Sequence, residues 1–405
     1  MYQYMQKQLN PLDSIFNKAL SGSMLFTNRQ ALRTDFIPEN LPYRDEQITS
    51  IGQILSPILQ ESKPSNLLLY GKTGSGKTVV AKYVLNKFEE ISKKNSKSLS
   101  VAYSNARLAG SEYRVLVDLA HSLSLDMPFT GLPISEVLQR IYNNISENNL
   151  KVIFIIDEID YLAKHAKTSN DDMLYSITRS SEHLKNGFIS IIGISNDLHF
   201  KNFLDPRVLS SMNEEEILFP PYTVTQLSDI LHKRTESAFK KKSVPPGTIN
   251  LCAALAGSEH GDARRAIELL RVAGELAERS DENEVIEKYV KEASQKIDKD
   301  RIYQAIKTLP IHEKAVLFAV DSTAENTTTG DVYNKYQQLC KKISLEPLTQ
   351  RRISGLLSEL DTQGLINASI INRGRHGRTK KISSLVTREV IIKVFNDDST
   401  AHLLI

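Results

Sequence analysis

Leu67-Leu68-Leu69-Tyr70-Gly71-Lys72-Thr73-Gly74-Ser75-Gly76-Lys77-Thr78 is an apolar run that breaks into a glycine-rich loop. A short apolar strand followed by Gly-x-x-x-x-Gly-Lys-Thr predicts a phosphate-binding loop, then a helix from about Val79 to Phe88. Gly71, Gly74 and Gly76 let the backbone curl so that several N–H groups face one anion. Lys77 would place a point charge on the β- and γ-phosphates, and the Thr78 hydroxyl would ligate Mg²⁺. The helix adds its positive N-terminal end to the same pocket. Thr73, Ser75 and Val79 complete the residues expected around ATP or ADP. The alternative is a purely structural turn, which the full pattern behind a strand disfavours.

At 405 residues the chain is long enough for two or three domains. Its net charge of +3 says little about partners, so local charge has to carry that argument. Cys252 and Cys340 lie far apart with no metal-like spacing, which suggests buried thiols in a reducing compartment. The nine histidines are scattered, so Mg²⁺ is the one metal expected. The longest apolar runs, such as Val152–Ile156, are far too short to span a bilayer, and the N-terminus lacks a signal-peptide pattern. A cytoplasmic protein with no membrane partner is the expectation.

Residues 1–40 show no sustained period. A helix is predicted from about Asp45 to Glu61, then the strand Leu67–Tyr70. Ser92–Ser100 reads as a polar loop and Val101–Asn105 as a second strand. Tyr113–Leu123 and Ile134–Ile145 show apolar spacing of three and four, which predicts two helices around a Pro- and Gly-bearing loop, Leu125–Pro133. Val152–Ile156 and Ile189–Ile194 are buried strands. Strands alternating with helices predict an α/β fold with a parallel sheet covered on both faces. After Pro220-Pro221 the pattern is helical from Thr225 to Glu278, broken at Lys241–Gly247 and near Gly257–Gly261, which suggests a small lid. A third unit, from about Lys299, reads as three or four helices and two strands joined by a basic loop.

Val152–Ile156 runs into Asp157-Glu158. Beside a phosphate loop, Asp157 would hold Mg²⁺ through water or the Thr78 oxygen, and Glu158 would polarise the attacking water as a general base. The alternative is an ordinary acidic helix cap. Ile191–Ser195 ends in Asn196, which could reach the γ-phosphate or the water; a turn-forming Asn196-Asp197 pair is the bland alternative.

These motifs together resemble the AAA+ ATPase superfamily. The resemblance implies an arginine finger at Arg207, in Leu204-Asp205-Pro206-Arg207-Val208, just past the fourth strand. It also implies a second sensor arginine at Arg264 rather than Arg265, in Gly261-Asp262-Ala263-Arg264-Arg265, and a nucleotide contact at Tyr222. An in-trans role for Arg207 needs a second subunit. A solvated surface arginine is the alternative at both positions.

In the third unit, Thr349 can cap a helix and Leu348 can staple against Ile353. Ile353, Leu356, Leu357 and Leu360 form one apolar face, so Gln350, Arg351 and Arg352 point away from the core. A first turn bearing Gln and Arg suits a major groove. Gly364 would end the helix. The loop 372–381 carries Arg373, Arg375, Arg378, Lys380 and Lys381 and no acid. Helix, helix, strand, basic hairpin, strand is the order of a winged helix, whose wing would contact phosphates or enter the minor groove. A basic loop alone is usually just solvated; the helix before it makes the case.

An AAA+ module, a helical lid and a C-terminal winged helix resemble the archaeal replication initiators. Those are similar to the first subunit of the eukaryotic origin recognition complex and to the cell-division-cycle initiator that loads the helicase. The resemblance covers nearly the whole chain, through Leu41-Pro42-Tyr43-Arg44-Asp45-Glu46-Gln47, Tyr113-Arg114-Val115-Leu116, Gly131-Leu132, Asp157-Glu158-Ile159-Asp160, Gly261–Arg271 and Thr349-Gln350-Arg351-Arg352. It implies an ATPase core over 1–220, a lid over 221–297 and a winged helix over 298–405. It further implies binding of double-stranded origin DNA, recruitment of the replicative helicase, other initiator paralogues as partners, and slow ATP hydrolysis as a switch. It also implies a DNA-touching insertion within about Arg107–Ser135. Phe129 and Thr130 at the tip of Met127–Gly131 are the candidate contacts; a core loop with Phe129 buried is the alternative. Two other functions compete. A clamp-loader-like ATPase would end in a helical collar and carry Ser-Arg-Cys at the finger, which is absent. A nucleotide-gated transcription regulator would read promoters rather than origins.

Overall fold

The structure is a computed structural model that describes residues 12, 16, 20, 22–95, 98–165, 172–212, 214–323, 327–372 and 378–405. The chain divides into two compact units, residues 1–290 and 291–405.

The first unit is built on five parallel strands: β1 (Asn66–Tyr70), β2 (Leu99–Asn105), β3 (Lys151–Asp157), β4 (Phe188–Ser195) and β5 (Glu214–Leu218), in the order β2-β3-β4-β1-β5. Side chains alternate between the faces, as the period of two requires. Leu67, Leu69, Ile153, Ile155, Ile192 and Ile194 pack with Val80, Val84 and Phe88 of the helix Lys77–Lys94. Leu68, Phe154, Ile156 and Ile191 pack on the other face with the helices Glu112–Ser122 and Ile134–Glu147. Both faces are covered, which is why these strands read as unbroken apolar runs.

Register lines up the carboxyl ends. Asn105 lies opposite Asp157, Asp157 opposite Ile194, and Tyr70 opposite Ser195. One edge of the sheet therefore presents Asn105, Asp157, the residues after Ser195 and the loop after Tyr70. Ligands of open α/β sheets bind at this edge, where connections diverge.

Several local expectations change. β5 was not anticipated, because Glu214-Glu215-Glu216 conceals it. It is an edge strand on which Lys201 pairs with Glu214 and Glu216, and charges suit such an edge. The helix Asp45–Leu55 tightens to a 3₁₀ turn over Ser56–Gln60, where Pro57 has no N–H to give. The helix after the phosphate loop runs to Lys94 and β2 starts at Leu99, so most of the expected loop Ser92–Ser100 is regular structure. Within the supposedly irregular N-terminal stretch, Leu12, Phe16 and Leu20 have helical backbone, Arg29–Leu32 is a 3₁₀ turn, and Phe26 bridges to Phe239.

The lid comprises the helices Val224–Ala238, Pro246–Ser258 and Ala263–Arg279. Thr223 and Gln226 form a reciprocal capping box at its start. The helix Glu287–Thr308 leads into the second unit.

In the second unit the helices Ile311–Asp321, Thr329–Lys342 and Gln350–Thr362 pack around a three-stranded antiparallel sheet. It comprises β6 (Thr327–Thr328), β7 (Ile366–Asn372) and β8 (Arg378–Ser384), in the order β6-β8-β7. β6 and a closing helix, Arg388–Asn396, were not read from the sequence. Lys314 is 5 % exposed, and its ammonium donates to Asp398 at 2.7 Å and to the Lys307 carbonyl at 2.9 Å. Asp398 also accepts from the N–H groups of Thr400 and Ala401. Lys314 first, then these amides, hold the Asp398 carboxyl well below the usual carboxylate range. Its stabilisation is therefore complete above the unfolded-state value, about 4, and is lost as pH falls further toward the folded one. Asp398→Ala should cost about 2–4 kcal/mol, because it strands a buried ammonium. Thermal melts of the full chain at neutral and acid pH check this: the variant's deficit should shrink on acidification.

Candidate nucleotide site and nucleic-acid interface

Gly76 (φ 94°) is the N-cap residue of the helix Lys77–Lys94, and among the described residues no side chain caps its first N–H groups. Those donors are left facing the loop, the arrangement that receives an anion. A Cβ at Gly74 (φ 73°) would sit 1.8 Å from Asp262 Oδ1, and one at Gly76 would sit 2.8 Å from the Tyr222 hydroxyl. The loop is thus gripped from the lid side. The buried Ser75 hydroxyl has no hydrogen-bond partner among the described residues, and Thr73 and Val79 are exposed and half-buried.

Lys77 Nζ donates to Gly71 O (2.6 Å), Lys72 O (3.0 Å) and Asn196 Oδ1 (2.9 Å). Burial first, then the like charge of Arg264, pushes its pKa down to about 8. The Thr78 hydroxyl donates to Asp157 Oδ2 at 2.9 Å. A hydroxyl and a carboxylate so close form a hard-oxygen donor pair that fits Mg²⁺. Glu158 follows in left-handed backbone (φ 52°), a conformation that costs a non-glycine residue about 1 kcal/mol or more. Its carboxylate meets Asn105 Nδ2 at 3.4 Å and Arg107 Nη1 at 3.7 Å.

Arg264 is exposed in the first turn of the lid helix Ala263–Arg279. Asp262 caps that helix by accepting from Arg264 N and Arg265 N, and Ala263 N donates to Gly74 O at 3.2 Å. Arg265 is buried and pairs with Glu259. Arg207 is directed elsewhere: its guanidinium meets Asp205 at 2.8 Å and lies 5.4 Å from the Tyr175 ring.

Four contributors were not read from the sequence as site residues. The Tyr103 hydroxyl donates to Asp157 Oδ2 at 3.1 Å; burial first, then Asp157, pushes its pKa up. Asn105 and Arg107 meet Glu158. Buried Arg44 donates to the carbonyls of Ser75 and Pro220 and stacks 3.9 Å from the Tyr222 ring, which ties Tyr222 to the loop. A polar residue at the end of an apolar strand was a readable signal for Asn105, as it was for Asn196. Among the described residues no cluster of three His, Cys, Asp or Glu forms a metal site, and no helix is long and apolar enough to cross a membrane.

Phe129 is 65 % exposed, edge-on to His121, and Thr130 is exposed, so the buried-core alternative for Phe129 fails. The loop beneath them is braced by Tyr113 on Pro128 O (2.8 Å) and His121 on Met127 O (3.0 Å).

In the second unit the Thr349 hydroxyl accepts from Arg352 N and caps the helix Gln350–Thr362. Thr349, Gln350, Arg351 and Arg352 are exposed, and Ile353 is the first buried residue. Arg352 turns back along the helix to Glu359 (3.4 Å), which leaves Gln350 and Arg351 as the outward pair. Lys380 Nζ donates to Ser358 Oγ at 2.5 Å, so it borders this helix. Arg373 and Arg375 lie outside the described residues. Arg378 begins β8, and its side chain is likewise outside them.

Comparison with known proteins follows the same division. Residues 60–199 match the AAA domain model, 228–295 the Cdc6 AAA+ ATPase-type lid domain, and 304–394 the CDC6 C-terminal winged helix domain. The chain is 46% identical over 402 residues to an ORC1-type DNA replication protein of Pyrococcus horikoshii, covering 97% of this chain and 95% of that one. It is 46% identical over 397 residues to one from Thermococcus onnurineus, covering 96% and 95%. The Aeropyrum pernix ORC1 protein, solved in complex with DNA, matches with a TM-score of 0.87 at 40% identity, over 95% of this chain and all of that one. The chain belongs to the family of ORC1-type DNA replication proteins, AAA+ ATPases with a Cdc6-type lid and a C-terminal winged helix.

Proposed function

We propose that this chain is an ATP-switched replication initiator that binds double-stranded origin DNA and helps recruit the replicative helicase, alongside other initiator paralogues. The observation that carries the DNA reading is its 40% identity, over 95% of its length, with an ORC1 protein solved on DNA. The work divides as residues 1–220 for the ATPase core, 221–297 for the lid and 298–405 for the DNA reader.

At the nucleotide, Lys77 and the first N–H groups of its helix hold the phosphates. Thr78 and Asp157 are the residues that would hold Mg²⁺, which supplies charge neutralisation when bound. Tyr103 fixes the Asp157 carboxylate. Glu158 orients and deprotonates the attacking water, and Asn196 polarises it from the neighbouring strand. Arg264 reports the nucleotide to the lid, and Tyr222 packs beside it. Arg207, which pairs with Asp205, serves as the arginine finger, and hydrolysis is slow.

At the DNA, Gln350 and Arg351 read base edges, Arg352 and Lys380 border the backbone, and Arg373, Arg375 and Arg378 supply the wing. Phe129 and Thr130 add a second contact from the ATPase core. Gln350→Ala and Arg351→Ala should each lower origin preference by about 1–3 kcal/mol. The wing triple variant should instead weaken origin and random duplex alike and reduce the salt exponent by up to about three units. Anisotropy titrations at several salt concentrations separate the two. Equal loss on both duplexes for Gln350→Ala would remove the base-reading role. The family's lid and winged-helix matches leave the clamp-loader alternative without support.

A further inference from the structure

The first turn of the helix Gln350–Thr362 lies at the surface. Gln350, Arg351 and Arg352 are exposed, Ile353 is the first buried residue of the helix, and Leu348 packs its half-buried side chain against the same core. Side chains that read base edges must nevertheless be placed to within about 0.5 Å. Whatever fixes residue 348, just before the cap Thr349, therefore fixes the turn.

Two tyrosines of the preceding helix, Thr329–Lys342, hold that residue. Tyr336 is completely buried, and its hydroxyl accepts the Leu348 N–H at 3.1 Å. The Tyr333 hydroxyl, one turn earlier, donates to the Leu348 carbonyl at 3.3 Å. Both polar backbone groups of one residue are thus engaged by side chains three apart on one helix face. The two rings lie 6.3 Å apart at 25°, and the Tyr336 hydroxyl is 2.8 Å from His312 Nδ1, which braces it from the helix Ile311–Asp321. Burial raises the Tyr336 pKa, so it remains a neutral phenol.

We infer that Tyr333 and Tyr336 are positioning residues for sequence discrimination: by clamping Leu348 they set the register of Gln350 and Arg351 against the bases without touching DNA. This rests on the reading of that helix as the base reader. Thr349 passes the constraint on, since its hydroxyl accepts from Arg352 N at 3.4 Å. Without the clamp the turn still forms and still carries its charge, so backbone affinity survives while register is lost.

The test uses the full chain with Tyr333→Phe/Tyr336→Phe, which keeps both rings and removes both hydroxyls. Affinities are measured for a duplex from the organism's own origin and for a scrambled duplex of equal composition, with Gln350→Ala as reference. The origin-to-scrambled ratio should fall by about three- to tenfold, the span of one net hydrogen bond. Scrambled-duplex affinity and its salt exponent should stay at wild-type values. An unchanged ratio in the double variant, while Gln350→Ala lowers it, overturns the clamp. Equal losses on both duplexes overturn it too, since they mean a purely structural role. If Gln350→Ala itself leaves the ratio unchanged, the base-reader reading fails and the clamp fails with it. Should the double variant melt early, Tyr333→Phe alone carries the same comparison, because that ring is only half-buried.

Discussion

A Lys77→Ala chain should lose ATP and ADP affinity by about 10²- to 10⁴-fold while remaining folded, because two charge-assisted hydrogen bonds of about 1.5–3 kcal/mol each disappear. The ammonium donates to Gly71 O, Lys72 O and Asn196 Oδ1, which hold it at the phosphate loop. Burial, with Arg264 adding to it, brings its pKa down to about 8. That value gives the wild type a pH signature. Below pH 8 the lysine is charged and ready; above it, binding must take up a proton, so nucleotide affinity should weaken as pH rises through 8. Lys77→Ala should show no such dependence. Titration calorimetry of both chains between pH 7 and 9 measures the loss and the slope. Wild-type affinity in the variant would remove Lys77 from the phosphate site.

Glu158→Gln should behave in the opposite way. It should bind ATP like the wild type and hydrolyse it about 10²- to 10⁴-fold more slowly, the usual contribution of a positioned general base. The carboxylate is not a partner of Thr78 or Lys77 in the structure; it faces Asn105 and Arg107. Removing its basicity therefore spares the phosphate contacts. Single-turnover hydrolysis beside equilibrium ATP binding separates the two effects. A parallel loss of binding would mean that Glu158 holds the nucleotide or its metal rather than the water.

Much of this was legible because the residues concerned are local. The phosphate loop, the strand carrying Asp157-Glu158 and the cap at Thr349 are each specified by a few neighbouring residues and their period. What escaped depends on distant parts of the chain. Tyr103 and Asn105 acquire meaning only when β2 pairs with β3 and brings Asn105 opposite Asp157. Arg44 looks like a surface cation before a helix; the fold buries it under Tyr222, 178 positions later. β5 was hidden because an edge strand with one side to solvent can consist of glutamates and still pair. The exposure of Phe129 could not be told from burial by its neighbours, since Met127, two residues before it, is buried.

Nuclease footprinting at physiological salt, on a chromosomal origin fragment and an unrelated fragment, with the wild-type chain in ATP and in ADP, tests the proposed reading of origin DNA under nucleotide control. Protection confined to discrete origin sites and altered between the two nucleotides is the predicted result. Equal, salt-sensitive protection of both fragments, indifferent to nucleotide, would contradict it.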